Sequence, residues 1–226
     1  MVSIMPCVKK QGEANRPDGN TTGRARDIDK VHTTNEIATI INEMGDISEN
    51  IKETEFDNPL SIGGSIIFGR TGGVMLAALR WAYHIITGSY LGVVEFKDVE
   101  GYIGVKSATV VIKNKSSSEL ITLRVAVVVG LGDAKKIVKE VLSGIIKYDF
   151  IEIMGCMPYG CIGGGGQPPV GKNKHILEER KVALNNLENM NLVNDNNYID
   201  NLYKDFLGEP GGPLAHKLLH THGNHE

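Results

Sequence analysis

Residues 150–168 read FIEIMGCMPYGCIGGGGQP. Their first five residues are mainly apolar, lie next to glycine and predict a short buried strand. The strand leads directly into two cysteines, Cys156 and Cys161, and four consecutive glycines follow. Such a glycine run is unfavourable in backbone entropy, so it is typical of a place where the backbone must approach something closely. Two thiols at a strand end beside this loop therefore indicate a candidate iron–sulfur or other metal site.

The elements around this stretch predict an α/β fold. A strand, Leu120–Val129, is almost continuously apolar from Val125 onward; it precedes a helix over Asp133–Leu142, and the strand 150–154 follows. Strand, helix and strand at this spacing predict a parallel pair. A serine-rich turn at residues 114–119 predicts a hairpin between Ala108–Ile112 and the apolar strand.

Other segments complete the expected order of elements. Strands are predicted at residues 2–6, 28–32 and 66–68, with residues 11–27 and the rest of 57–73 as loops. A helix is expected from Thr34 and another over Gly73–Thr87, with Gly88 as its end and Met75 and Trp81 in its core. The helices predicted after Pro169 are His175–Leu187, Tyr198–Leu207 and Leu214–Leu219.

Composition narrows the function classes. The 226 residues include 24 basic and 27 acidic side chains, a net charge of −3 that gives no electrostatic signature of nucleic-acid binding. No apolar run is long enough to span a bilayer, and the first residues do not resemble a secretory signal. A cytoplasmic or organellar-matrix location is expected. Three cysteines are an odd number, which argues against a disulfide framework and favours metal ligation or thiol chemistry.

Several other interpretations of these patterns stay open. The paired cysteines would also suit half of a zinc site, and the glycines a phosphate loop, although no Gly-Lys-Ser/Thr follows them. The turn at Gly130–Gly132, with Glu152 about 20 residues on, partly matches a dinucleotide-binding turn. Histidines near the end of the chain could bind a metal, although terminal packing is favoured; they are His216, His220, His222 and His225.

The chain resembles the catalytic domain of the iron-only (FeFe) hydrogenases. Residues 154–168 follow one cysteine motif of that family, and residues 5–13, MPCVKKQGE, follow another with lysine and glutamate in register. The resemblance continues in order through Phe56–Leu60, Phe68–Met75, Gly130–Ala134, Tyr148–Met154 and the tail at 218–222. It implies the later part of a two-lobed domain, with short, largely parallel sheets flanked by helices over 1–170 and a helical small-subunit-like tail over 171–226.

The resemblance also implies a cofactor and its ligands. Cys7, Cys156 and Cys161 would bind a 4Fe-4S cluster, and Cys161 would bridge it to a two-iron subcluster with carbonyl and cyanide ligands. Lys10 would donate a charged hydrogen bond to a diatomic ligand. The catalytic residues would thus be Lys10 and Cys161.

The remaining cofactor-binding residues would surround the metals. Met5 and Met154 would line the pocket, and the expected contacts from the glycine run are Gly164, Gly165 and Gln167. The implied reaction is the reversible reduction of two protons to dihydrogen, with an electron carrier such as ferredoxin or an NAD(P)-linked subunit as partner. The alternatives are a non-catalytic iron–sulfur protein, related to cytosolic iron–sulfur assembly factors, and a dinucleotide-binding oxidoreductase.

Two departures from the family pattern shape these expectations. A T-S-C-C-P motif, which supplies the fourth cluster ligand in the family, does not occur in the chain. A preceding segment or a partner subunit is expected to carry it, unless the chain is an inactive relic. Four residues instead of three separate Cys156 from Cys161, with Met157 or Tyr159 as the additional one. One extra residue would displace a thiol by about 3 Å unless the loop bulges.

Overall fold

The structure is a computed structural model that describes residues 1–17, 26–45, 52, 63–117, 119–156, 159–168, 175–190 and 197–220. The chain divides into two compact units. Unit 1 comprises Met1–Ile62, Gly164–Pro168 and Val193–Glu226. Unit 2 comprises Gly63–Gly163 and Pro169–Leu192.

The described residues form short strands and helices in a mixed order. The strands are β1 (Val2–Met5), β2 (Lys30–Thr33), β3 (Lys97–Asp98), β4 (Val105–Lys113), β5 (Leu120–Val129) and β6 (Phe150–Met154). The helices are α1 (Lys9–Ala14), α2 (Thr34–Met44), α3 (Gly63–Ile66), α4 (Gly73–Thr87), α5 (Leu131–Leu142), α6 (His175–Met190), α7 (Asn197–Leu202) and α8 (Pro213–Leu219). Short turns of other helical types lie at Ile67–Gly69, Gly160–Gly163 and Tyr203–Leu207.

Unit 2 is built on a four-stranded sheet in the order β3-β4-β5-β6. The predicted hairpin forms the antiparallel pair of β4 and β5, and the predicted parallel pair is β5 with β6. Residues Val125–Val128 of β5 are all buried, as expected for a strand covered on both faces. Met75 and Leu79 of α4 pack on one face, and Ala134 and Ile137 of α5 pack with Val128 in a second apolar cluster.

Unit 1 contains the parallel pair of β1 and β2. Helix α2 begins with a capping box, in which the Thr33 side chain accepts from the Glu36 backbone N–H and the Glu36 carboxylate accepts from the Thr33 N–H. This local chemistry explains why α2 begins where the sequence predicts. Toward the end of the chain, α8 begins with Pro213, whose fixed φ suits a first helical position.

The predicted α/β class is confirmed, and three details differ. Two of the four described strand pairs are antiparallel, so the parallel share is smaller than expected. The predicted strand at 66–68 is helical, because so short an apolar run does not distinguish a strand from a buried helix. Part of the predicted loop at 11–27 lies in α1, and the prediction for 57–62 falls outside the described residues.

Trp81 corrects a further prediction, because its side chain is 52% exposed whereas Met75 is fully buried. Trp81 follows the buried Leu79 by two positions, which places it about 200° around the helix and away from the sheet. None of the described helices is long and apolar enough to cross a membrane.

Candidate functional site

Cys156 lies two residues beyond the end of β6, the edge strand of the unit 2 sheet. The last residue of β6, Met154, pairs with Val129 of β5, and the Met154 carbonyl accepts from the Gly130 N–H at 2.9 Å. The strand end is therefore anchored to the turn that begins α5. Met154 is half-buried and Cys156 is exposed. Met157 and Pro158 lie outside the described residues.

The described structure continues at Tyr159, which lies in a tight turn. Tyr159 and Gly160 have φ values of 69° and 77°, both in the left-handed region. A Cβ built on Gly160 would lie 2.9 Å from the Thr71 nitrogen and 3.2 Å from the Arg70 carbonyl carbon. The Thr71 N–H donates to the Tyr159 carbonyl at 3.3 Å. Position 160 therefore has no room for a side chain, and the turn is held against the segment that precedes α4.

Helix α6 also holds this turn. The Arg180 Nη1 donates to the Ile162 carbonyl at 2.8 Å, and Ile162 is buried. The Tyr159 hydroxyl donates to the Glu178 carboxylate; this bond raises the pKa of Tyr159 and lowers that of Glu178. The half-buried Cys161 thus lies between residues that α6 holds on both of its sides.

Glu152 is a residue whose role the sequence did not predict. It lies on β6, its side chain is buried, and its two oxygens accept from the Gly72 and Met75 backbone N–H groups at 2.8 and 2.7 Å. A carboxylate at a helix N-terminus satisfies unpaired N–H groups and interacts favourably with the helix dipole. The one sequence signal for this role was an acidic residue inside a buried strand, which indicates a specific partner.

This geometry weighs against the dinucleotide-binding interpretation. Both oxygens of Glu152, the acid expected to bind a ribose, are already bonded within the protein. Beside the candidate turn, Asp133 accepts from the Gly104 N–H at 2.9 Å, and Gly104 accepts from Val129 at 2.7 Å.

In unit 1, the second half of the glycine run packs beside Cys7. The Gly166 N–H donates to the Pro6 carbonyl at 3.0 Å, and the Gly166 carbonyl accepts from Asn35 at 2.9 Å. A Cβ on Gly166 would lie 2.9 Å from the Pro6 carbonyl carbon and 3.0 Å from the Thr33 Cβ. The close approach that the glycine run predicts is thus explained, at this position, by protein backbone.

The other candidate contacts of the run lie on either side of Gly166. Gly164 is buried, its carbonyl accepts from the Gln167 N–H at 3.0 Å, and Gly165 is exposed. A Cβ on Gly165 would make ordinary contact with Val8 at 3.9 Å. Gly165 therefore has space on its outer side for a ligand or a methyl group.

Gly166→Ala is expected to lower the free energy of unfolding by about 1–3 kcal/mol, because the new methyl group would overlap the Pro6 backbone. Gly165→Ala is the matched control and is expected to change it by about 0.5 kcal/mol or less. Urea unfolding followed by circular dichroism measures both. Equal destabilisation by the two substitutions would contradict the packing described for Gly166.

Met5 and Lys10 flank the Cys7 segment. Met5 ends β1 and Cys7 follows two residues later; both side chains are half-buried. Lys10, in the first turn of α1, is partly exposed and its Nζ pairs with Glu13 at 2.5 Å. An ammonium in such an i,i+3 pair on a helix surface contributes little to stability.

The thiols fit an iron–sulfur cluster in donor type. All three cysteines lie in the described residues, and none forms a disulfide. Thiolates are the ligands that such clusters use. Cys7 belongs to unit 1, whereas Cys156 and Cys161 belong to unit 2. Within the described ranges, no group of three or more His, Cys, Asp or Glu side chains is already gathered for a metal ion.

The histidine tail is described only in part. The rings of His216, on α8, and His220, the residue that follows α8, lie 4.6 Å apart between centroids. His222 and His225 fall outside the described residues.

Comparison with curated proteins gives relatives along the whole chain. "NADP-reducing hydrogenase subunit HndD" of Solidesulfovibrio fructosivorans is 40% identical over 98% of this chain and 37% of its own length. "Iron hydrogenase 1" of Clostridium pasteurianum is 36% identical over 97% of this chain and 38% of its own length. A more distant relative, "Cytosolic Fe-S cluster assembly factor narfl" of Danio rerio, is 28% identical over 97% of this chain and 54% of its own length. The chain spans less than two fifths of the two hydrogenases.

Solved structures give the same result. A variant of apo FeFe-hydrogenase HydA1 from Chlamydomonas reinhardtii superposes with a TM-score of 0.81 at 40% identity, covering 98% of this chain and 62% of that one. The family model described as "Iron hydrogenase small subunit" matches residues 174–225. The model described as "Iron only hydrogenase large subunit, C-terminal domain" matches residues 1–165, almost three quarters of the chain. The chain therefore belongs to the iron-only hydrogenase family.

Proposed function

We propose that the chain is an iron–sulfur, H-cluster-type component of an FeFe hydrogenase that interconverts protons, electrons and dihydrogen. The observation that carries the proposal is that all three cysteines are outside disulfides and lie within the matched large-subunit region. We also propose that the chain consists of a catalytic-domain portion at 1–170 and a small-subunit-like tail at 171–226. The ranges of the two family matches support this division.

The proposed cluster ligands are the thiolates of Cys7, Cys156 and Cys161, and each loses its proton when it binds iron. When bound, the two-iron subcluster supplies the redox centre at which protons and electrons combine. Cys161 is the proposed bridge to it. The turn around Cys161 is already held by Thr71 and Arg180, so the thiol needs little ordering before it binds.

Lys10 is the proposed charged hydrogen-bond donor to the cofactor. Its ammonium must leave Glu13 to act, and the weakness of a partly exposed ion pair makes that change easy. Met5 and Met154 end their strands as half-buried, polarizable side chains suited to a pocket wall. Gly164, Gly165 and Gln167 are proposed to approach the cofactor with backbone and amide groups.

The proposed partners are the part of the enzyme that carries the first cysteine motif and an electron carrier of ferredoxin or NAD(P)-linked type. The name of the relative HndD, a subunit of an NADP-reducing hydrogenase, supports a multi-subunit setting. Three cysteines outside disulfides suit the proposed cytoplasmic or organellar-matrix location, where thiols stay reduced.

Anaerobic reconstitution with iron and sulfide tests the proposal. The chain is expected to take up about four iron and four sulfide ions, the content of one cubane. Cys156→Ala and Cys161→Ala should each lose most of this iron, whereas His220→Ala should keep it. A chain that takes up no iron, or equal loss in all three variants, would contradict the cysteine ligands.

A second candidate is a non-catalytic iron–sulfur protein, favoured by the assembly-factor relative that matches nearly the whole chain. Maturation together with a segment that supplies the first cysteine motif separates the two. Carbonyl and cyanide infrared bands would support the hydrogenase. A cubane without these bands would support the assembly-type protein.

A further inference from the structure

We propose that helix α6 clamps the turn at residues 159–162, with Tyr159, Glu178 and Arg180 as positioning residues that fix Cys161. The inference rests on the proposed function only where it concerns a bound cluster. The contacts themselves belong to the chain as it is, and they can be tested without iron.

The backbone at Tyr159 is strained and needs support from its surroundings. Tyr159 is a non-glycine residue with φ of 69°, and this conformation disfavours a residue with a Cβ by about 1–2 kcal/mol. Such strain persists only where surrounding contacts compensate for it. Two contacts do so: the Thr71 N–H on the Tyr159 carbonyl and the Glu178 carboxylate on its hydroxyl. They come from two different segments, the residues before α4 and helix α6.

The residues next to Cys161 are equally restricted. Gly160 cannot move toward Arg70 and Thr71, because even a Cβ would be too close to them. On the other side, Arg180 holds the carbonyl of the buried Ile162 at 2.8 Å. Cys161 therefore has a fixed neighbour on both sides.

The clamp joins the two matched regions of the chain. Tyr159 and Ile162 lie in the region matched as large subunit, whereas Glu178 and Arg180 lie in the region matched as small subunit. The helix that supplies the clamping side chains thus belongs to the same chain as the cysteine turn that it holds.

Thiol reactivity in the iron-free chain tests the clamp. Cys161 alkylation is followed by mass spectrometry under anaerobic conditions, with the exposed Cys156 as internal reference. Tyr159→Phe and Glu178→Gln are each expected to speed Cys161 alkylation about fivefold, because the first removes the hydrogen bond and the second removes the negative charge that strengthens it. Glu179→Gln, the same change one position along the exposed side of α6, is the matched control and should stay within about twofold.

Two further variants distinguish a specific effect on the position of Cys161 from a general loss of order in the turn. The double variant Tyr159→Phe/Glu178→Gln should react no faster than Tyr159→Phe alone, because both substitutions act on one interaction. Tyr159→Gly relaxes the left-handed strain but removes the hydroxyl, so it should still react faster than the unmodified chain. Unchanged rates in both single variants, or fully multiplicative rates in the double one, would overturn the clamp.

Reconstitution adds a readout that a merely structural role would not move. The electron paramagnetic resonance spectrum of the reduced cluster is expected to change in Glu178→Gln and to stay unchanged in Glu179→Gln. Should no form of the chain take up iron, the proposed function fails, and alkylation still decides the clamp. Normal iron uptake with unchanged alkylation rates would overturn the clamp and leave the proposed function standing.

Discussion

Replacing Gly73 with alanine is expected to lower the free energy of unfolding by about 3 kcal/mol or more. Gly73 is the first residue of α4, and a Cβ there would lie 1.7 Å from the Ile67 carbonyl oxygen and 2.5 Å from its carbon. The colliding atoms are backbone, so no side chain can rotate away. The turn Ile67–Gly73 must therefore open, although it is closed by the bonds from Arg70 to Ile67 and from Gly73 to Arg70.

Gly132→Ala is the matched control for this substitution. Gly132 also lies in the first turn of a helix, α5, and a Cβ there would meet nothing within 4 Å. Alanine is the better helix former by up to about 1 kcal/mol, so this variant should be as stable as the unmodified chain or more stable. Guanidinium unfolding followed by fluorescence of the single Trp81, on α4, measures both variants. Similar stability of the two would contradict the packing of α4.

Glu152→Ala is expected to destabilise the chain by about 2–4 kcal/mol, because it leaves two buried N–H groups without acceptors. Glu152→Gln should lose much of the same free energy, since its amide has one acceptor oxygen and its NH2 group would face a backbone N–H. The measurement is the free energy of unfolding at neutral pH. Glu95→Ala, at an exposed position, is the control and should change it by about 0.5 kcal/mol or less.

Gly73→Ala and Glu152→Ala are also expected to affect the turn that contains Cys161. Gly72 and Gly73 follow Arg70 and Thr71, which form the wall that leaves no room for a Cβ at Gly160. Glu152 lies on the strand that leads to Cys156, and it holds the start of α4 to that strand. Faster alkylation of Cys161 should therefore accompany the loss of stability. Loss of stability with no change at Cys161 would show that the loop is positioned by α6 alone.

Local chemistry determined much of what could be predicted. The bounds of α4 agree with the prediction, since Gly88 adopts the left-handed conformation that ends a helix. The capping box at Thr33 begins α2. The apolar run around Glu152 and the glycine that follows it define β6 and its exit into Cys156, although Phe150 and Ile153 are exposed and only Glu152 is buried. These features depend on residues within a few positions of each other. The family motifs likewise consist of contiguous segments, which is why they could be recognised.

Interactions between distant segments decided the rest. The helical conformation of 66–68 depends on packing against α4 and α6, and the exposure of Trp81 depends on which face of α4 meets the sheet. Glu152 binds N–H groups 80 and 77 positions away, and Arg180 reaches a carbonyl 18 positions away.

Residues 150–168 show the same division between local and long-range interactions. The sequence by itself determined that residues 150–168 form a strand followed by two cysteines and a glycine run, and it predicted a close approach there. Only the tertiary structure decided that Gly166 approaches the Pro6 backbone and that Tyr159, hydrogen-bonded to Glu178 of α6, takes a left-handed conformation. The physical reason is that steric space and hydrogen-bond partners at these positions come from segments that are distant along the chain.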